Sequence, residues 1–130
     1  MARLFLDANV LFSAAYRPDA GLLTLWKPKR ATLCSSRYAV EEARFNLDDE
    51  DRRARLTTLI QHLHLFEAVS RELPGGISLP EKDIPILLAA IEARATRLLT
   101  GDMRHFGPHF GHRIAGILIL LPGEYLRPRN

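Results

Sequence analysis

Apolar positions come in short continuous runs and in stretches of helical spacing, and the two alternate along the chain. Leu4, Phe5 and Leu6 form an unbroken apolar run, as in a strand covered on both faces. The run stops at Asp7. Apolar residues resume at Val10, Leu11, Phe12 and Ala15 with helical spacing. The expectation is a buried strand, a carboxylate at its carboxyl end, and a helix directly after. Residues 20–26 read as a second short helix, stopped near Pro28. Ala31–Cys34 is a second buried strand, and Ser35 or Ser36 caps a helix running to about Leu47. Asp48-Asp49-Glu50-Asp51 opens a further helix. Its core side is Leu56, Leu59, Ile60 and Leu63, and its charges, Arg52, Arg53 and Arg55 among them, form a solvated face. His64–Val69 fits a third strand, and Leu73-Pro-Gly-Gly is a turn. The strongest helical pattern runs from Glu81 to Arg94. Proline is tolerated only in a first helical turn, so Pro85 places Asp83 at or just inside the amino end of that helix. Arg97–Thr100 is a fourth strand, Ile114–Leu121 a fifth and fully buried one, and Pro122-Gly-Glu-Tyr-Leu begins a terminal turn or short helix.

Strands alternating with helices predict a parallel sheet of five strands with helices on both faces, a three-layer α/β/α sandwich with right-handed crossovers. At 130 residues the chain is expected to form one domain, 1–130. Its 47% hydrophobic and 25% charged residues exclude a disordered chain. Neither a membrane span nor a signal peptide is seen in the sequence. Cys34 is the one cysteine, so no internal disulfide can form. It reads as a small core residue, and a reducing cytoplasm is the expected setting. Of 18 basic residues 15 are Arg, within a net charge of +3. That balance is mild support for a polyanionic partner. Lys27, Lys29 and Arg30 form a small basic cluster suited to nucleic acid or to the preceding helix dipole.

The acids carry the chemistry. Asp7 alone is explained as a helix cap. The arrangement recurs, however, in Thr100-Gly101-Asp102 after the fourth strand. In an open parallel sheet both positions face the crevice outside the strands' carboxyl ends. Asp83 enters from a helix amino end, and Glu41 or Glu42 from the helix after the second strand. Two carboxylates about 5 Å apart repel by roughly 3 kcal/mol at an effective dielectric near 20. Such a cluster therefore takes up protons or a divalent cation. Oxygen ligands alone favour Mg²⁺ or Mn²⁺ over zinc.

Four segments carry a family resemblance: Leu-Phe-Leu-Asp7-Ala-Asn9-Val-Leu-Phe-Ser13, Ser36-Arg-Tyr-Ala-Val-Glu-Glu42-Ala, Asp83-Ile-Pro-Ile-Leu-Leu-Ala-Ala, and Leu-Leu-Thr100-Gly-Asp102-Met-Arg-His-Phe106. In order and spacing they resemble the four acidic motifs of the PIN domain, over essentially the whole chain. The resemblance implies sheet order 3-2-1-4-5 and a Mg²⁺- or Mn²⁺-dependent endoribonuclease acting on RNA. It implies Asp7, Glu42, Asp83 and Asp102 as the catalytic acids. Asp7, Asp83 and Asp102 would hold the metal, with Asn9 and Thr100 in support. It also implies a VapC-like toxin with a cognate antitoxin protein, in a homodimer or higher oligomer. Glu42 is preferred to Glu41 because the motif sets its acid just before an apolar residue. Many members carry a further acid a few residues after the fourth-strand Asp. Here His105 stands close to that place, which favours one well-held ion over two.

Other residues read more plainly. Ser13 is a helix or turn residue, Glu81 complements a helix dipole, and Arg104 is a loop cation that could steer RNA. His62, His64, His109 and His112 lack partners at metal-ligand spacing. Two further readings compete with the nuclease. One is an RNA- or protein-binding module of this fold with little turnover, motivated by His105. The other is a phosphoryl-transfer or receiver-like domain using Asp7, disfavoured by Asn9 and by the lack of a lysine at residues 114–122.

Overall fold

The computed structural model describes residues 2–27, 31–68 and 72–127. Its centre is strand β1 (Ala2–Leu6), flanked in parallel by β2 (Ala31–Ser36) and β4 (Arg97–Leu99). Leu4, Phe5 and Leu6 are fully buried, as an unbroken apolar run in a central strand requires. β3 (His64–Phe66) pairs with β2, and β6 (Ile117–Leu120) with β4, both in parallel. With the short edge strand β5 (Arg113–Ile114), the sheet order is β3-β2-β1-β4-β6-β5, with helices on both sides. No helix among the described residues is long and apolar enough to cross a membrane.

The expected fifth strand is two strands. β5 (Arg113–Ile114) is antiparallel to β6, and a two-residue turn joins them. Ala115 and Gly116 both have positive φ, 51° and 82°, the backbone of a hairpin turn whose twist matches the strands. β6 takes the fifth place of the parallel order, and β5 adds a short edge. The expected third strand stops at Phe66, and Val69 lies outside the described residues. The short helix before Pro28 is a 3-10 helix, Gly21–Trp26. Lys29 and Arg30 of the basic cluster lie outside the described residues.

The helices begin where polar side chains meet their free N–H groups. Helix α1 (Ala8–Tyr16) follows Asp7, and α2 (Arg37–Asn46) is capped by Ser36, whose Oγ accepts from Ala39 N at 3.0 Å. Ser36 is thus the cap of the two candidates. Ser35 donates instead to the Leu6 carbonyl at 2.8 Å and ties β2 to β1. Helix α3 (Glu50–Ile60) has Asp49 as its cap. Its arginines are not simply a solvated face. Arg55 donates to the Ala15 and Tyr16 carbonyls, Arg52 to Tyr16, and Arg53 to Leu47 at 2.7 Å. The last carbonyls of α1 lack intrahelical donors, and Arg52 and Arg55 supply them, while Arg53 serves the carbonyl just after α2. The Arg52 guanidinium also lies 3.7 Å from the centre of the Tyr16 ring.

Helix α4 (Ile84–Glu92) follows a 3-10 turn at Glu81–Asp83. It buries Ile86 to Ala90 without interruption, so it is a core helix rather than an amphipathic surface one. Helix α5 (Met103–Phe106) is one turn, held by the fully buried Phe106, and α6 (Pro122–Leu126) follows β6.

Candidate metal centre

β1 and β4 are neighbours where the order of strands reverses, so the loops at their carboxyl ends open onto a shared crevice. Asp7 follows β1 and is 4% exposed. Its backbone N–H donates to the Leu99 carbonyl at 3.0 Å, which holds it against the end of β4. Its Oδ1 accepts from Ala8 N at 2.7 Å, the capping role anticipated for it. Its Oδ2 accepts from the Thr100 hydroxyl at 2.8 Å and, more weakly, from Asn9 Nδ2 at 3.4 Å. Asp7 therefore both caps a helix and faces the crevice.

Asn9 and Thr100 lock this corner. Asn9 Oδ1 accepts from Gly101 N at 2.7 Å, and Thr100 Oγ1 accepts from Asp102 N at 3.0 Å. A Cβ at Gly101 would stand 3.4 Å from Asn9 Oδ1, so the loop after β4 passes close to α1. The donors around Asp7 favour its charge, but burial outweighs them. Desolvation, with added repulsion from Asp83 and Glu42, lifts the Asp7 carboxyl from 3.8 to about 6.

Asp83 sits at the amino end of α4, where Pro85 requires it, yet makes no side-chain capping bond. Its carboxylate is turned to the crevice, with the side chain 7% exposed. Burial first, then the Asp102 carboxylate, raises its pKa, against the opposing effects of His105 and Lys82. Asp102 caps α5, accepting from His105 N at 3.1 Å. That single turn brings the His105 ring back over the acids. His105 Nδ1 lies 2.8 Å from Asp102 Oδ2 and 2.8 Å from Asp83 Oδ2. One ring N–H serves one acceptor well. With it directed to Asp102, Asp83 Oδ2 is buried without a hydrogen-bond donor. A buried acceptor left this way is costly, and a cation is one group that would satisfy it. The acids thus fit a divalent ion.

Asp7, Glu42, Asp83 and Asp102 line one cleft of about 460 Å³, with Asn9, Phe12, Asn46 and Lys82. Glu42 lines both this cleft and the neighbouring groove between α2 and α4, whereas Glu41 lines the groove and not the cleft. Adjacent helical residues point about 100° apart, which accounts for the division. Among the described residues, the donor atoms that converge within 4.8 Å are those of Asp83, Asp102 and His105. Asp7 borders that group without belonging to it.

Two cleft residues were not singled out beforehand. Lys82 precedes Asp83, but nothing in the sequence says which way it points. Asn46 lies one helical turn beyond Glu42, and that spacing was a usable clue. His105 was placed near the acids, but its contact with both was not foreseen. Its clue was the three-residue step from Asp102 on a helical turn. Tyr38 stands beside the site, in the α2–α4 groove. Its hydroxyl donates to the Lys82 carbonyl at 2.9 Å, and burial, with Glu42, Asp83 and Asp7 behind it, pushes its pKa up. Ser13 and Arg104 are exposed, Glu81 lines the α2–α4 groove, and none of His62, His64, His109 and His112 joins the converging donors. Cys34 is buried in the core, and burial raises its thiol pKa.

A mostly parallel sheet with helices on both sides and an acid-lined crevice at its switch point defines the chain as an α/β protein of the open, doubly wound class. A family model for the PIN domain matches residues 3–104. The chain belongs to the PIN domain family. No curated protein gives a significant match. Among solved structures, the chain is similar to one in the VapBC2 complex of Rickettsia felis, bound to a DNA fragment from its promoter. The identity is 18% and the TM-score 0.64, over 90% of this chain and 96% of that one.

Proposed function

We propose that this chain is a Mg²⁺- or Mn²⁺-dependent endoribonuclease and the toxin of a cytoplasmic toxin–antitoxin pair. The observation that carries the reading is the meeting of Asp7, Glu42, Asp83 and Asp102 around one cleft, where burial raises the Asp7 and Asp83 pKa values. Capping accounts for part of Asp7 and Asp102, but not for four carboxylates gathered on one cleft, and that concentration of charge supports a role in binding. PIN domains are in general nucleases that employ divalent metals.

A divalent ion held there supplies Lewis-acid activation of water and charge neutralisation at the phosphodiester. Asp83 and Asp102 would hold it together with the lone pairs of Asp7 not engaged by Ala8 and Thr100. Glu42, half-buried in the lining of the cleft, would accept a proton from water. Lys82 at the rim would pair with a backbone phosphate. Asn9 and Thr100 hold Asp7 and the Gly101 loop in register, so the acids do not have to reorganise when substrate arrives.

RNA is the substrate class that the family resemblance implies. An antitoxin partner is supported by the shared fold with a VapBC2 chain. The groove between α2 and α4 exposes Phe45 and Tyr38 beside Ile84, Pro85 and Leu88, and it is the surface we assign to that partner. Cleavage of labelled RNA, with single-stranded DNA run in parallel, tests the reading. Cleavage of RNA is expected with Mg²⁺ or Mn²⁺, and its loss in chelator and in Asp102→Asn. Undiminished cleavage by that variant would overturn the assignment. A second reading, a binding module with little turnover, draws on His105 lying against both Asp83 and Asp102. RNA binding without cleavage under either ion would favour it.

A further inference from the structure

We propose that His105 is a nitrogen ligand of the cation, and that it makes this site select Mn²⁺ over Mg²⁺. The inference rests on the reading of the cleft as a metal site and adds the identity of the ion. An oxygen-only site takes Mg²⁺ readily. An imidazole in the ligand set changes that preference, because Mg²⁺ favours hard oxygen donors and transition ions accept nitrogen.

Three observations place the imidazole in the set. His105 Nδ1 is 2.8 Å from a carboxylate oxygen of Asp83 and 2.8 Å from one of Asp102. Neighbouring vertices of an octahedron with bonds near 2.1 Å are about 3 Å apart, so these contacts have the spacing of adjacent ligands. The donor atoms of all three residues lie within 4.8 Å of one another, close enough to share one ion. Finally, one ring N–H cannot supply hydrogen bonds to both carboxylates, and Asp83 Oδ2 is buried with none. As a set of hydrogen-bonding groups the cluster is short of protons. With the ring proton on Nε2, so that Nδ1 offers its lone pair, the same atoms as a set of ligands are complete on one face.

Backbone structure fixes the ring there. Asp102 caps the turn that carries His105, and the buried Phe106 anchors that turn in the core. His105 is itself about one-fifth exposed, so ions can reach it.

The test is metal binding, read without any substrate. Kd values for Mn²⁺ and Mg²⁺ are measured by titration calorimetry on the full chain and on His105→Asp and His105→Ala. Thermal denaturation confirms that both variants fold. Pulsed electron paramagnetic resonance of the Mn²⁺-loaded wild type then looks for an imidazole nitrogen bonded to the ion. The expected result is Mn²⁺ binding roughly tenfold or more tighter than Mg²⁺, a ratio that collapses in His105→Asp, and a nitrogen coupling present in the wild type alone. Binding of both ions with the same ratio in all three proteins, and no nitrogen coupling in the wild type, would overturn the proposal while leaving the metal site intact. Absence of binding by either ion in the wild type would overturn the metal site and this proposal together.

Discussion

Replacing Asp7 by Asn should stabilise the metal-free protein at neutral pH while removing its activity. The Asp7 carboxyl is lifted from 3.8 to about 6, chiefly by burial. Between those values the folded protein holds a proton that the unfolded chain has released. The contribution of Asp7 to stability is therefore full below pH 3.8 and is lost as pH rises through about 6. At about 1.36 kcal/mol for each tenfold change in proton affinity, the loss is roughly 3 kcal/mol by pH 7.5. An uncharged amide avoids it. Against this, the amide would place an NH₂ where Oδ2 now accepts from Thr100 at 2.8 Å and from Asn9 at 3.4 Å. Thr100 can turn its hydroxyl and accept, but Asn9 loses a partner, at about 1 kcal/mol. The net gain is about 2 kcal/mol, or about 7 °C in Tm for a chain of this length.

Thermal denaturation in chelator at pH 4, 6 and 7.5 measures it. At pH 4, where the wild-type carboxyl is already protonated, Asp7→Asn should show no gain and lie up to about 1 kcal/mol below wild type, the cost of the lost Asn9 partner, and the gain should grow to its full size by pH 7.5. With saturating divalent ion the order should invert, because the wild type gains binding energy that the variant forgoes. A variant no more stable than wild type at pH 7.5 in chelator would refute the argument that Asp7 is held at an energetic cost. So would a gain of the same size at every pH.

Other expectations follow from the same geometry. Adding Mn²⁺ at a hundredfold excess over its Kd should raise the wild-type Tm by about 10 °C at pH 7.5, and by clearly less at pH 5, where a proton on Asp7 competes; equal shifts at both would count against Asp7 as part of the site. Thr100→Val removes the hydroxyl that lowers the Asp7 pKa, so the pH midpoint for metal binding should move upward, and an unmoved midpoint in calorimetric titrations would deny Thr100 that role. Glu42→Gln should cut RNA cleavage by about a hundredfold or more, while Glu41→Gln, facing the α2–α4 groove, should leave it within about twofold; the reverse pattern would reassign the second acidic motif. On the family resemblance alone, and not on the geometry, size-exclusion chromatography with light scattering should find a dimer or larger species, and a monomer at all concentrations would remove self-association from the picture.

Much of this architecture is written in hydrophobic pattern. Leu4-Phe5-Leu6 and Leu98-Leu99 are apolar because their strands lie in the middle of the sheet, and that is visible residue by residue. The convergence of Asp7 with Asp102 was accessible too, since two strand ends followed by polar loops must share an edge in a parallel sheet. What escaped the pattern was decided by single dihedral angles or by reach through space. Ala115-Gly116 lies inside an apolar string, and only its positive φ values turn one expected strand into a hairpin. Arg52, Arg53 and Arg55 look like a charged outer face, yet each bends back to a carbonyl, because helix ends and loops leave acceptors that long guanidinium side chains can reach.

His105 shows the same limit at the site itself. A sequence gives its distance from Asp102 along a turn, but its contact with Asp83 spans 22 positions and depends on α4 beginning where Pro85 makes it begin. That dependence joins fold to chemistry. Pro85 sets the start of α4, the start of α4 sets Asp83, and Asp83 left uncapped is free to face the crevice. A carboxylate that made a capping bond would already have its partner, as Asp7 and Asp102 have theirs in Ala8 and His105. Of the three aspartates it is Asp83 whose buried oxygen lacks a donor, so the demand for a cation falls most heavily on it.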